Sequence, residues 1–269
     1  MESLLSSFKN EVGNYCAVCA FIELSLRNMR AEHKDDLENE ESFLAFSKMY
    51  NICLSNCDPD LLATAVPQYY ILNVYRCFES FLQSLYHFIR NCEFGGKDFT
   101  RSKDESWLDC INRRLGERIT EEQKELYVIC NYYHYIRNYA AHSGDDNNKA
   151  ARKAAFSRIN RERCSTDAIF KKLDAPNWDD SIIFDDFILF SRTAIQLAEA
   201  YWKSVQLDYV AVIEELPTEI LRTWGSVKKN KKRLAEKVKR YLMTNYCMKP
   251  EEYTEEITKV VERRLSGEI

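Results

Sequence analysis

An arginine, an asparagine and a histidine fall close together near the middle of this 269-residue chain, in the run Asn131-Tyr132-Tyr133-His134-Tyr135-Ile136-Arg137-Asn138-Tyr139-Ala140-Ala141-His142-Ser143-Gly144. On a helix, residues four apart share a face, so Asn138 and His142 would be neighbours, with His134 one turn further back and Arg137 at the edge. An arginine is always protonated and its planar fork matches a phosphate, whereas a histidine gives or takes a proton near neutrality. Such a group can bind a phosphodiester and move a proton. The same residues also suit a plainer task, because cations at a helix C-terminus complement its macrodipole. Spacing alone does not choose, since an arginine and a histidine at this distance are expected by chance in a chain with 19 arginines and 4 histidines. Indeed Arg27-Asn28-Met29-Arg30-Ala31-Glu32-His33 repeats the pattern. That earlier copy has one helix before it and an acidic run after it, which would repel phosphate, so the later copy is the candidate site.

Holding these side chains in place requires long helices, and the composition favours them. The chain has 7 Gly and 5 Pro, well below the ~12% that the two breakers together average. Helices are expected at 3–30 and 41–55, then from Pro67, a favoured first-turn residue, to Asn91, where the chain meets Gly95-Gly96. The last of these carries an apolar stripe, Tyr70, Val74, Phe78, Phe81, Leu85 and Phe88, beside a polar one, Arg76, Glu79, Gln83 and His87. A short helix at 104–115 precedes Thr120, whose partner at Gln123 forms a capping-box signature for a helix over about 120–142 that stops at Ser143-Gly144-Asp145-Asp146. A helix over 180–207 follows, and beyond Pro217 come helices near 218–224, 227–246 and 251–265. Strand-type alternation is nearly absent. The expected architecture is all-α, with a helical bundle over residues 1–215 and a small basic helical extension over 216–269.

The central run resembles the HEPN superfamily, whose signature is an arginine, often followed by asparagine, separated by four to six residues from a histidine. Arg137, Asn138 and His142 carry the match, together with the small Ala141, the polar turn beyond it, and the place of the motif at the end of a helix that follows a long aromatic one. The resemblance implies a HEPN-like antiparallel helical bundle and a metal-independent endoribonuclease that needs no cofactor. In such an enzyme the ribose 2′-hydroxyl attacks its own phosphate and leaves 2′,3′-cyclic phosphate and 5′-hydroxyl ends. His142 would then be the general base or acid, Arg137 would stabilise the developing phosphorane charge, and Asn138 would orient the histidine or bind phosphate. Some members brace the arginine with an acid from the preceding aromatic helix. Glu79 is the matching position, and its other reading is a surface charge. The resemblance further implies a homodimer whose two motifs form one composite cleft over the segment from Tyr132 to His142. It also implies a toxin or antiviral-defence role on RNA, with tRNA one candidate target, and a neutralising or activating protein partner. The alternative is a catalytically silent HEPN-like helical module that binds RNA, a nucleotide or a partner protein; an unrelated all-α regulatory protein is a third reading.

Several surfaces could support RNA contact. Tyr132, Tyr133, Tyr135 and Tyr139 crowd the motif helix, where they either fill a helix interface or, as at Tyr139, stack on a base. Lys149, Arg152 and Lys153, followed by Arg158, Arg161 and Arg163, would set phosphate-binding charge beside the cleft or form a solvated face. Lys228, Lys229, Lys231, Lys232, Arg233, Lys237, Lys239 and Arg240 put eight cations in thirteen positions. Leu234, Val238 and Tyr241 give that helix an apolar edge, so it could grip RNA, dock on a partner or touch an anionic membrane; RNA contact through Lys228, Lys229, Lys231 and Lys232 is the reading adopted.

The formal charge of -4 hides an asymmetry, because residues 221–269 hold 13 basic and 7 acidic groups, whereas residues 1–220 hold 25 and 35. With 45% hydrophobic and 30% charged residues, the chain has material for a core and is unlike a disordered one. No apolar run approaches the ~18 residues of a bilayer span, and no signal-peptide pattern opens the chain. The expected location is cytoplasmic, with the 10 cysteines reduced and mostly in the core. Two close pairs, Cys16 with Cys19 and Cys53 with Cys57, lack the turn context of a zinc knuckle, so no metal site is expected.

Overall fold

The computed structural model describes residues 4–35, 40–53, 59–141, 149–161, 173–178, 181–246 and 248–268. Among them are eleven α-helices: α1 (Leu4–Glu32), α2 (Glu40–Met49), α3 (Pro59–Cys92), α4 (Trp107–Leu115), α5 (Glu121–Ala141), α6 (Lys149–Ser157), α7 (Phe184–Ser204), α8 (Tyr209–Glu214), α9 (Thr218–Trp224), α10 (Lys231–Tyr246) and α11 (Glu255–Ser266). The described residues contain no strand, only an isolated antiparallel bridge between Glu93 and Leu207. The protein is all-α.

Local chemistry sets several of the helix ends. At the start of α5 the Thr120 backbone N–H donates to Gln123 Oε1 at 3.0 Å and the Gln123 N–H donates to Thr120 Oγ1 at 3.3 Å, a reciprocal capping box. The end of α3 turns at Gly95, whose φ of 68° suits glycine. At Gly96 a Cβ would collide with the carbonyl oxygen of Ile89. Pro67 does not begin α3. The helix starts at Pro59, and Pro67 lies inside it, where the ring removes one backbone donor without ending the helix. Helix α10 begins at Lys231 rather than 227 because Asn230 Oδ1 caps the N–H of Arg233 at 3.1 Å.

The chain divides into two compact units. The larger comprises residues 2–82 and 107–203, and the smaller comprises residues 83–106 and 204–269 with Met1. The larger unit is a bundle of α1, α3, α5 and α7 with an aromatic centre. Phe8 of α1 packs on Phe78 and Phe81 of α3, with ring centroids 5.9 and 4.9 Å away. Tyr75 of α3 stacks on Phe190 of α7 at 6.1 Å, and Phe190 meets Tyr133 of α5 at 5.1 Å. Each fully buried ring of this kind contributes about 1.5–3 kcal/mol of transfer free energy. One carboxylate lies in this core. Asp186, in the first turn of α7, is fully buried and accepts from the Tyr133 hydroxyl at 2.8 Å, the Asn177 N–H at 2.8 Å, Asn177 Nδ2 at 3.1 Å and the Ile183 N–H at 3.0 Å. Burial pushes its carboxyl above the usual range, and these donors pull it back.

The smaller unit has its own core, in which Val212 and Ile213 of α8 join Trp224 of α9, Leu234, Val238 and Leu242 of α10, and Ile257 and Val261 of α11. Arg264 fastens it by donating from one guanidinium nitrogen to the carbonyls of Ile213 and Leu216, at 2.9 and 2.8 Å. The boundary expected at 215 therefore falls inside this unit. Residues 208–216 supply part of its core, so the division comes after Lys203 instead.

Candidate functional site

Helices α3 and α6 of the larger unit meet the last two turns of α5. Arg137 projects from α5 toward α3, where its Nη2 lies 3.2 Å from Glu79 Oε2. The two residues are 58 positions apart in sequence. The other terminal nitrogen of Arg137 donates to Asn138 Oδ1 at 2.8 Å, and the guanidinium carbon lies 5.3 Å from the centre of the Tyr75 ring. About a quarter of each charged side chain of the Arg137–Glu79 pair is exposed, 28% and 25%, so the pair borders solvent without being bathed in it.

The network continues one turn back along each helix. Asn138 Nδ2 lies 3.2 Å from His134 Nε2, and His134 Nδ1 lies 2.6 Å from the Tyr75 hydroxyl. Because Asn138 Oδ1 accepts from Arg137, the amide NH2 of Asn138 points at Nε2, which must accept. Nδ1 then carries the proton in the neutral ring, an assignment that follows from the hydrogen-bond pattern. Burial lowers the His134 pKa to about 4, with Arg137 adding to the shift and Asp109 opposing it. Burial likewise raises the Tyr75 phenol well above its ordinary value. Glu79, Arg137, Asn138, His134 and Tyr75 thus form one chain, with a single ion pair at its open end and neutral groups inside. Chemically it can offer one face of a guanidinium to an anion while holding Asn138 in a fixed orientation.

Tyr75 was not among the candidate site residues in the sequence, and His134 was placed on the face of Asn138 and His142 without a role. Their signal was the helical period: Tyr75 precedes Glu79 by four positions, and His134 precedes Asn138 by four.

The remaining candidates are distributed differently. His142 lies outside the described residues, as does Arg163. Lys149 and Lys153 are exposed on α6. Arg152 is a correction. It is 1% exposed, its guanidinium covers the Tyr139 ring at 4.4 Å, and it helps seal α6 against α5 instead of facing RNA. One face of Tyr139 is therefore taken by Arg152, which leaves at most the other for a base. Arg161 is held by the Pro176 carbonyl at 3.1 Å and the Phe156 ring at 4.7 Å. In the smaller unit, Lys229 and Lys232 are exposed. Lys228 and Lys231 are exposed as well, while Lys228 donates to the Leu265 carbonyl at 2.9 Å and Lys231 pairs with Glu262 at 3.3 Å. Tyr132 and Tyr133 are fully buried within their own chain, so they are not available to the interface expected over Tyr132 to His142. The edge of α5 that remains partly open includes Tyr135, Asn138 and Ala141.

The earlier copy of the motif has another setting. Arg27 pairs within α1 with Glu23 at 2.8 Å, and His33 lies against Phe46 at 4.7 Å between ring centres. Among the described residues, no group of three or more His, Cys, Asp or Glu is placed to hold a metal ion. No helix among them is long and apolar enough to cross a membrane. Compared with known protein families, characterised proteins and solved structures, the chain finds no match in any of the three.

Proposed function

We propose that this chain is a metal-independent endoribonuclease of the HEPN type. The observation that carries the reading is the contact between Glu79 and Arg137, which orients a guanidinium at the C-terminal end of α5 beside Asn138. In the proposed reaction the 2′-hydroxyl oxygen of a ribose bonds to the adjacent phosphorus and the bond from phosphorus to the 5′-oxygen breaks. A base removes the 2′-hydroxyl proton, an acid protonates the departing 5′-oxygen, and a 2′,3′-cyclic phosphate remains. His142 is the proton-transfer group of this reading. Arg137 neutralises charge on the phosphorane, and Asn138 fixes a phosphate oxygen or the histidine. His134 is a poor substitute, since a group with a pKa of about 4 holds few protons at neutral pH. One motif histidine per chain supplies one proton-transfer group, so a twofold homodimer that brings two motifs face to face completes the site. The proposal extends to cellular RNA such as tRNA as substrate, to a toxin or defence role, and to a protein partner that restrains or releases it.

A second reading, the silent helical module, draws on the same geometry. Arg137 is already engaged by a carboxylate, an amide and a ring face, which is how an arginine serves as a pin between two helices.

The test is RNA cleavage by the full chain in excess chelator, with the ends of the products sequenced. Cyclic-phosphate ends in wild type, a loss of roughly 100-fold or more in His142→Ala and near-normal activity in His33→Ala support the ribonuclease. Cleavage that needs added magnesium, or equal losses in both histidine variants, refutes it; no cleavage by a folded chain of any oligomeric state favours the silent module.

A further inference from the structure

The strongest positive feature of the smaller unit is the outward face of α10. We infer that this face is a separate site for the phosphate backbone of a double-stranded nucleic acid. Lys232, Arg233, Lys237 and Arg240 recur at steps of one, three and four along one side of the helix, and all four are exposed. With Asn230 and Glu236 they line a groove of about 530 Å³, which thus holds four cations and one carboxylate. Lys237 also donates to the Thr223 carbonyl at 2.5 Å, so Lys232, Arg233 and Arg240 are the three cations of the groove that carry the proposed contact. Lys232 and Arg240 are eight residues apart, or roughly 12 Å along the helix. That reach covers about three or four phosphates of one strand, given their rise of ~3.4 Å.

The surroundings decide among the anionic partners such a face might meet. The opposite side of α10, Leu234, Val238 and Leu242, is wholly buried in the core of its own unit. The helix therefore has no free apolar face to sink into a bilayer, which removes the usual mode of an interfacial amphipathic helix. None of the groove-lining residues is aromatic, so the groove offers no platform on which unpaired bases could stack. None of the groove-lining residues is apolar, whereas protein interfaces gain most of their affinity from buried aromatic and aliphatic anchors. What remains is a rigid row of cations able to follow regularly spaced phosphates without reading bases. This site concerns binding only and does not rest on the ribonuclease reading.

The experiment is fluorescence anisotropy with the full chain against a 20-base-pair RNA duplex, a DNA duplex of the same sequence, the single RNA strand and vesicles containing phosphatidylserine, each across a salt series. The variants are Lys232→Glu/Arg233→Glu/Arg240→Glu, the milder Lys232→Gln/Arg233→Gln/Arg240→Gln, and a charge-matched control, Lys48→Glu/Lys97→Glu/Lys103→Glu. Wild type should bind a duplex more tightly than the single strand. The glutamate variant should lose at least tenfold, the glutamine variant less, and the control little. Loss of three phosphate contacts should also reduce the slope of log affinity against log salt by about 2.7. A preference for RNA or for DNA identifies the source of the backbone, and either supports the site. The inference is overturned if both groove variants bind duplexes as wild type does, if the control falls as far as they do, if the single strand binds more tightly, or if vesicles bind and duplexes do not. Duplex binding through α10 in a chain that cleaves no RNA would uphold this site and remove the ribonuclease proposal.

Discussion

The Tyr75 hydroxyl and the Nδ1 of His134 meet at 2.6 Å, and burial keeps both rings neutral. The contact joins the central helix α3 to α5 one turn away from the Arg137–Glu79 ion pair. It makes the inner part of the candidate site a hydrogen-bonded clamp rather than a store of charge. A clamp of this kind holds Asn138 through the Nε2 of the same histidine, so the orientation of the outer residues depends on the protonation of the inner one.

Stability should therefore fall on the acid side of neutrality. The folded pKa of His134, about 4, lies below its ordinary 6.5, so the unfolded chain takes up a proton first. The contribution is complete above about pH 6.5, is lost as pH falls toward about 4, and is level below that; full expression of the shift amounts to ~3 kcal/mol. Urea unfolding of wild type and His134→Gln at pH 7.5, 5.5 and 4.5 checks it. The variant should lose less stability over this interval, and parallel curves would refute the assignment.

The Arg137–Glu79 pair should be worth about 1 kcal/mol to stability, as expected for a pair that is only partly buried, while mattering far more to any phosphate chemistry. A double-mutant cycle with Arg137→Gln and Glu79→Gln measures the coupling. Arg137→Lys should fail to restore cleavage, because a point charge cannot contact Glu79 and Asn138 through a fixed fork. Full activity in Arg137→Lys would show that charge alone suffices.

Asp186→Ala should cost about 3 kcal/mol or more, since it leaves two backbone N–H groups, an amide and a phenol without their buried acceptor. The denaturant midpoint reports this. Tyr133→Phe removes only one of the four donors and should cost nearer ~1 kcal/mol.

Arg152→Ala should lower the melting temperature by several degrees, consistent with about 2 kcal/mol of lost packing and ring contact, whereas Lys153→Ala should leave it unchanged. If Arg152→Ala instead melts like wild type and weakens RNA binding, the buried assignment is wrong.

Much of the helical framework was legible because it is written in local signals. The Thr120–Gln123 box marks the start of α5, and the stripe from Tyr70 to Leu85 marks the buried side of α3. Pro67 misled because a proline early in a helix and a proline at its start look alike in sequence. Arg152 and Lys153 are neighbours in one basic run, and only the packing of α6 on α5 determines which enters the core. A hint was present, since Arg152, Ala155 and Ile159 recur at steps of three and four and all are buried. The unit boundary was harder to read. Residues 83–106 join 204–269 through contacts distant in sequence, which no local periodicity records. The meeting of Glu79 with Arg137 is likewise nonlocal, and it was reached through the resemblance rather than through spacing.

The enclosure of Trp224 gives the smaller unit its own light signal. Its indole is 2% exposed and lies edge-on to Tyr241 at 5.3 Å between ring centres. The chain's other tryptophans, Trp107, Trp178 and Trp202, all belong to the larger unit. A chain that retains only Trp224 would emit from one core alone, and its wavelength would move to the red when that core admits water. Set beside helical circular dichroism, which sums over both units, that emission would tell whether the basic helix and the bundle lose their structure in one step or in two.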